Sequence, residues 1–199
     1  YKERDILPGD YKYEDWNGDG EINGQDEHPF AFDQTPWLQF SLNAGLQWKN
    51  LDFNMLLQGS ALGSMEYKEP LHEIWGKNGG GALTQFLDRW HPVDPKADPY
   101  DPSTVWTSGH YAYTGRWAKN NSAFNRVSTA YLRLKSIELG YTFPKLKQIP
   151  NASLRIYANA YNLLTFTGVK FVDPEHPDDD LGRMYPLNKT YTLGVSLSF

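Results

Sequence analysis

Hydrophobic and polar residues alternate with a period of two along five segments of the chain. In the first segment, Leu38 to Trp48, the apolar side chains fall on one face, and Gln, Ser, Asn and Gly fall on the other. A β-strand places successive side chains on opposite faces, so this pattern predicts a strand with one apolar and one polar side. The same pattern recurs in Leu51–Gln58, Ala130–Phe143, Leu154–Tyr161 and Thr190–Phe199.

Two details of the pattern indicate how these strands pair. Lys49 and Asn50 form a two-residue connection, which predicts a hairpin with Trp48 opposite Leu51 on the apolar face. In the third segment the apolar phase reverses halfway, and a β-bulge near Lys135–Ser136 would restore it.

The connections between the five segments alternate between short and long. The first and third connections are the pair Lys49–Asn50 and the stretch Pro144–Ala152, whereas the second and fourth are Ser60–Thr129 and Gly168–Leu187. Short turns on one side and long loops on the other are typical of outer-membrane β-barrels. This topology places residues 1–36 on the long-loop side, as an extracellular loop, and residues 37–199 in the strands and the other loops.

Composition excludes several classes of protein but does not identify one. No apolar run approaches the ~20 residues that a membrane helix needs, which leaves a barrel open because its strands are only half apolar. The net charge of −5 argues against nucleic acid as a partner. The chain contains no cysteine and begins at Tyr1 in place of Met, so we expect no disulfide framework and a missing N-terminus.

Several motifs resemble one family of membrane proteins. The last eight residues, Thr192 to Phe199, resemble the outer-membrane assembly signal, which has a Gly in the third place and an aromatic residue at the end. Three internal stretches, with the closing segment from Tyr185 to Gly194, follow the order seen in the SusC/RagA family of TonB-dependent transporters. They read GDYKYEDWNGDG from Gly9, YLRLKSIELGY from Tyr131 and YANAYNLLT from Tyr157.

The resemblance implies a fold and a function that spacing alone does not give. Members of this family are all-β antiparallel transmembrane barrels with a plug inside the lumen, of the class with ~22 strands. They import oligosaccharides or oligopeptides across the outer membrane of Gram-negative bacteria, with energy from TonB and a SusD-like surface lipoprotein as a lid. This chain is then the C-terminal five strands, and its partners are the rest of the barrel, the plug, the lid, TonB, the substrate and the lipid bilayer. Five strands cannot close such a barrel, so we expect that this segment does not fold alone.

One acidic loop has the spacing of a calcium site. Asp15, Asn17, Asp19, Glu21 through its carbonyl, and Asp26 match the ligand positions of an EF-hand loop, with Gly20 at the sharp turn. Position 12 carries Asp26 where the EF-hand has Glu, and no helices flank the loop. The sequence predicts a structural calcium here, with a metal-free Asp/Asn/Gly turn as the alternative.

No catalytic constellation is found, so we expect a transporter and not an enzyme. The loop residues Trp75, Trp90, Trp106 and Trp117 could stack on sugar rings or pack the loops together. Two other functions stay open at this point: a secreted, calcium-stabilised carbohydrate-binding β-sandwich, and a dockerin-like interaction module. The β-sandwich would not explain the outer-membrane signal at the C-terminus. Dockerins carry two such calcium loops on helices, whereas this chain has one, followed by strands.

Overall fold

The computed structural model describes residues 6–68, 71–72, 82–113, 122–144, 152–175 and 184–199. The regular structure of these residues is β, apart from short 3-10 helices at Gly24–Asp26, Thr84–Leu87 and Ala123–Asn125. The strands are β1 (Leu38–Trp48), β2 (Leu51–Ala61), β3 (Ser64–Glu66), β4 (His91–Pro92), β5 (Trp106–Thr107), β6 (Arg126–Ser128), β7 (Tyr131–Phe143), β8 (Ser153–Thr167) and β9 (Thr190–Ser198). No helix in this part of the chain is long and apolar enough to cross a membrane.

Five strands form one antiparallel sheet in the order β1-β2-β7-β8-β9. These are the five predicted segments, so the all-β antiparallel class is confirmed. Trp48 lies opposite Leu51 across the predicted hairpin. Lys49 has a φ angle of 55° there, and a left-handed residue suits a tight two-residue turn. Two minor sheets pair β3 with β6 and β4 with β5.

The predicted β-bulge in β7 is confirmed. Leu134 lies opposite Leu57 and Ser136 lies opposite Leu56, so Lys135 is the extra residue. The pairing of β7 with β8 shifts in register at the same place, because Leu134 pairs with Leu164 and Ser136 pairs with Tyr161. Asn162, between them, has a φ angle of 52°, a left-handed conformation that Asn tolerates better than most residues.

The apolar face of this sheet is open. Many of its large side chains are exposed, among them Leu42 (56%), Leu46 (66%) and Leu193 (77%). A soluble domain rarely leaves a continuous apolar surface of this size uncovered. A β-sandwich would cover it with a second sheet, and the described residues provide only the two minor sheets. The face therefore needs an apolar surrounding, as the outside of a membrane barrel has.

The outer strands of the sheet, β1 and β9, each pair on one side only within the described residues. Unpaired N–H and C=O groups of a strand edge are costly in lipid, at several kcal/mol each. The sheet is thus a segment of a larger antiparallel wall, in agreement with the predicted barrel class.

Internal contacts divide the chain into two compact units. The first contains the described residues among Tyr1–Ala31 and Glu66–Arg126, and the second those among Phe32–Met65, Val127–His176 and Met184–Phe199. The first unit holds the acidic loop, and the second holds the five-stranded sheet. The two units are defined by contacts between residues and not by position relative to a membrane. The assignment of residues 1–36 to the cell exterior therefore stays a prediction.

Candidate functional site

The predicted calcium ligands lie in one exposed loop, residues 15–26. Asp15 organises its first turn. One of its carboxylate oxygens accepts hydrogen bonds from the backbone N–H groups of Gly18 (2.8 Å) and Asp19 (3.2 Å), and the other accepts one from Gly20 (2.8 Å). Gly18 and Gly20 have φ angles of 73° and 85°, which suit glycine. The Asp and Gly positions of the motif together form the sharp turn.

Asp26 closes the loop from its other end. Its oxygens accept hydrogen bonds from the backbone N–H groups of Asn23 (2.7 Å), Trp16 (2.9 Å) and Asn17 (3.3 Å). Asn23 and Asp26 also cap the 3-10 helix Gly24–Asp26 reciprocally. The hydrogen bond from Asn23, ahead of those from Asn17 and Trp16, holds the pKa of the Asp26 carboxyl below its usual range. The carboxylate is therefore kept ionised by the backbone that it binds.

The remaining predicted ligands also bond within the loop. Asn17 donates to the Asp19 carboxylate (2.9 Å) and accepts from the Asp19 N–H (2.9 Å), and Asp19 accepts from the Glu21 N–H (2.8 Å). These hydrogen bonds close the loop by themselves, as the metal-free alternative requires. Among the described residues, no group of three or more His, Cys, Asp or Glu is gathered as a metal centre. The oxygen-rich donor set suits a hard cation, but its convergence on one is a prediction.

The loop aromatics that the structure describes pack against the protein. Trp90 covers Gly9 so closely that a side chain at Gly9 would overlap its indole ring. The ring of Trp106 meets that of Tyr113 edge to face at 5.3 Å. Trp75 and Trp117 lie outside the described residues. For Trp90 and Trp106 the structure thus shows packing of the loops, and sugar stacking stays a prediction.

An aromatic cluster around the buried Phe86 holds the first compact unit together. Phe86 is almost fully buried and contacts Tyr111, and Tyr11 contacts Phe124 at 5.1 Å between ring centroids. The Tyr11 hydroxyl donates to the Asn125 side chain at 3.3 Å. Burial raises the pKa of Tyr11 to about 12, so the phenol stays protonated. The N-terminal arm is therefore packed into this unit, next to the acidic loop.

Three consecutive Asp-Pro turns, which the sequence analysis did not single out, shape residues 94–104. The backbone N–H groups of Ala97, Asp101 and Thr104 donate to the carbonyls of Asp94, Asp98 and Asp101, at 2.9–3.1 Å. In each turn the Asp carboxylate also accepts the N–H two residues on, from Lys96, Tyr100 and Ser103 in order. Asp at the first position and Pro at the second are the residues that a type I turn favours, so the repeated Asp-Pro spacing was the available signal.

The polar face of the large sheet carries an ion cluster that crosses three strands. Arg155 on β8 binds Asp52 on β2 through its Nε (3.1 Å) and its Nη2, and Nη2 also donates to Glu138 on β7 (2.7 Å). The Arg155 Nη2 atom lies over Gly140, where a Cβ atom would overlap it. The three charged side chains occupy polar positions of the alternation, so their shared face was predictable, but their pairing required the register.

A second cluster on the same face centres on Arg133 of β7. Its Nε donates to the Thr165 hydroxyl (3.0 Å), and its two other nitrogens bind the carboxylates of Asp173 (2.5 Å) and Glu175. The Tyr131 hydroxyl donates to Glu175 at 2.8 Å. Both acids come from the segment after β8, which was read from the sequence only as a loop. No pattern of spacing linked them to Arg133.

The sequence is similar to two TonB-dependent receptors of Formosa agariphila. It is 28% identical to receptor P3 over 211 residues and 28% identical to receptor P26 over 208 residues. These alignments cover 98% and 97% of this chain but 19% and 20% of the relatives, so the chain spans about a fifth of their length. A comparison with protein-family models finds no match.

The fold is similar to solved structures of the RagAB peptide importer. A structure of the RagAB peptide transporter superposes with a TM-score of 0.65 and 22% identity, covering 90% of this chain and 19% of that chain. The importer in its "closed-closed" state gives a TM-score of 0.62 with 22% identity, covering 97% and 21%. At this identity the likeness shows the fold, which is that of a segment of a transporter barrel.

Proposed function

We propose that this chain, a segment of a TonB-dependent receptor of the SusC/RagA group, forms part of the barrel wall of an importer in the outer membrane of a Gram-negative bacterium. The observation that carries the proposal is the five-stranded antiparallel sheet, which has an exposed apolar face, a hydrogen-bonded polar face and, among the described residues, no neighbouring strand at either edge. Such a sheet suits a wall between lipid and an aqueous lumen. The segment's role is structural and transport-related, with no catalytic step.

The dimensions of the sheet support a membrane-spanning role. Its strands contain between 9 and 15 residues. At ~3.3 Å per residue and a tilt of ~45°, about 10 residues cross the apolar band of an outer membrane. In this arrangement Leu42, Leu46 and Leu193 face lipid, whereas Arg133 and Arg155 face the lumen. The rest of the barrel supplies neighbours for β1 and β9, and a plug fills the lumen.

The transported solute is an oligopeptide or an oligosaccharide. The structural relatives are named as peptide importers, and the family resemblance extends to both classes of solute. A SusD-like surface lipoprotein closes the importer from outside as a lid, with the long loops Ser60–Thr129 and Gly168–Leu187 on its side of the membrane. TonB supplies the energy. The acidic loop of residues 15–26, within the extracellular segment 1–36, binds one calcium ion that stiffens it.

Uptake by the full-length receptor tests this function. The receptor is produced in the outer membrane of cells with and without TonB, and uptake of a labelled oligopeptide mixture and a labelled oligosaccharide mixture is measured. We expect uptake of one mixture that is lost without TonB. The proposal fails if the receptor is released from membranes without detergent. It also fails if neither mixture enters in a TonB-dependent way while a known receptor in the same cells is active.

A further inference from the structure

The segment that follows β8 folds back onto the polar face of the sheet. Thr167, the last residue of β8, donates from its hydroxyl to the Ala130 carbonyl (3.0 Å), and the Val169 N–H donates to the same hydroxyl (3.1 Å). Val169 is only 8% exposed, and Pro174 is buried as well. Residues 168–175, which we call the strap, are therefore packed on the protein.

The far end of the strap is held by Arg133. This side chain is 1% exposed, and its guanidinium binds Asp173 and Glu175, which are 24% and 33% exposed. Glu175 accepts a second hydrogen bond from the Tyr131 hydroxyl, and its own N–H donates to Asp173. A buried arginine is strongly disfavoured without a charged partner, so the two carboxylates and the guanidinium depend on each other. We call this group the latch.

The middle of the strap is conformationally strained. Phe171 has a φ angle of 70° and a side chain that is 56% exposed. A bulky residue in the left-handed region is an outlier that persists only when its surroundings impose it. The strap is thus fixed at both ends and strained between them, and next to Thr167 lies Gly168, whose Cβ position has open space.

We propose that the strap is a gate over the polar face of β7 and β8, and that Arg133 is the positioning residue that holds it closed. The gating role rests on the proposed function, because it requires the polar face to line the path of the imported solute. In the closed position the strap occupies that face. Opening exchanges the Arg133 pairs for solvent and frees the face for a solute.

Arg155 provides a matched control on the same face. It also binds two carboxylates, but Asp52 and Glu138 both belong to strands of the sheet. Replacing Arg155 removes an ion cluster with the same number of carboxylates, although a more exposed one, without touching the strap. A difference between Arg133→Gln and Arg155→Gln therefore reports on the strap, and a shared effect reports on the sheet.

The test uses the full-length receptor in the outer membrane, with any other cysteines replaced, and Val169→Cys as the reporter. A maleimide reagent labels this buried position only when the strap opens. We expect labelling at least about tenfold faster with Arg133→Gln than in the reporter alone, and unchanged with Arg155→Gln. The double variant Asp173→Asn, Glu175→Gln breaks the latch from the strap side and serves if Arg133→Gln does not assemble. An unchanged labelling rate in the assembled latch variants overturns the latch, as does an equal increase with Arg155→Gln.

Uptake of the labelled oligopeptide and oligosaccharide mixtures tests the gate. We expect a higher initial rate in the latch variants than in Arg155→Gln at equal receptor levels. Faster labelling with unchanged or slower uptake overturns the gating role. If even the unmodified receptor imports neither mixture, the proposed function fails, and the labelling experiment still decides whether Arg133 holds the strap.

Discussion

Arg133 and Arg155 lie on neighbouring strands, on the same polar face, and each binds two carboxylates. They differ in where those carboxylates come from. The partners of Arg155 are on β2 and β7, and its side chain is 28% exposed, whereas the carboxylate partners of Arg133 are on the strap and its side chain is 1% exposed. An ion cluster within a sheet reinforces a register that backbone hydrogen bonds already fix. An ion cluster between a sheet and a loop decides where the loop lies.

Burial makes the two clusters unequal in stability. Removing one partner of a buried ion pair costs roughly 3–5 kcal/mol, whereas partly exposed pairs contribute about 1 kcal/mol or less. We therefore expect Arg133→Gln to lower the thermal unfolding midpoint of the purified full-length receptor in detergent several times more than Arg155→Gln does. Equal shifts for the two variants would contradict the difference in burial on which the comparison depends.

Gly140, which lies next to the Arg155 cluster, provides a second test of the comparison. A Cβ atom at Gly140 would overlap both the Arg155 guanidinium and the Asp52 carboxylate. Gly140→Ala should therefore displace the pair and destabilise the receptor by about 1–3 kcal/mol. In the Arg155→Gln background, Gly140→Ala should destabilise the receptor much less, since the guanidinium that the new methyl group would displace is absent. Gly24→Ala is the control, because nothing lies within 4 Å of a Cβ atom at that position. If the effects of Gly140→Ala and Arg155→Gln on stability are additive, the overlap is not with the ion cluster.

The contrast also explains how far the sequence could predict this molecule. Alternation placed the five strands, the hairpin at Lys49 and the bulge at Lys135, because the side-chain period of a strand is fixed by its geometry. It also placed Asp52, Glu138 and Arg155 on one face. Alternation could not predict the Arg133 latch, because Asp173 and Glu175 lie in a segment without hydrophobic periodicity. The path of that segment depends on the contacts with Arg133 themselves. The cation of the acidic loop likewise stays a prediction, since spacing gives the ligands and not their convergence.

The acidic loop extends the comparison to carboxylates whose hydrogen-bond donors are backbone N–H groups. Asp15 and Asp26 bind backbone N–H groups, and a calcium ion would supply the cation that arginine supplies on the sheet. At a calcium concentration ten times the dissociation constant, chymotryptic cleavage after the exposed Trp16 should slow about tenfold. EDTA should reverse this effect, and Asp15→Asn should abolish it. Tryptic cleavage after Lys96 is the internal control, and protection of both sites alike would show a general effect of calcium on the receptor.

The smallest effect is expected where a carboxylate stabilises only a single turn. The Asp94 side chain accepts the Lys96 N–H at 2.9 Å, and the Ala97 N–H donates to the Asp94 carbonyl at 3.0 Å. Asp94→Ala removes the first of these bonds and keeps the second, a loss of about 0.5–1.5 kcal/mol. Because trypsin cuts a locally opened chain, cleavage between Lys96 and Ala97 should become about 2–10 times faster. Asp101→Ala is the matched control, since Asp101 shapes the third turn through Ser103 and does not contact Lys96. If both variants accelerate this cleavage equally, the three turns open as one unit and do not act as independent local structures. If neither does, the turn is held by Pro95 and the backbone alone.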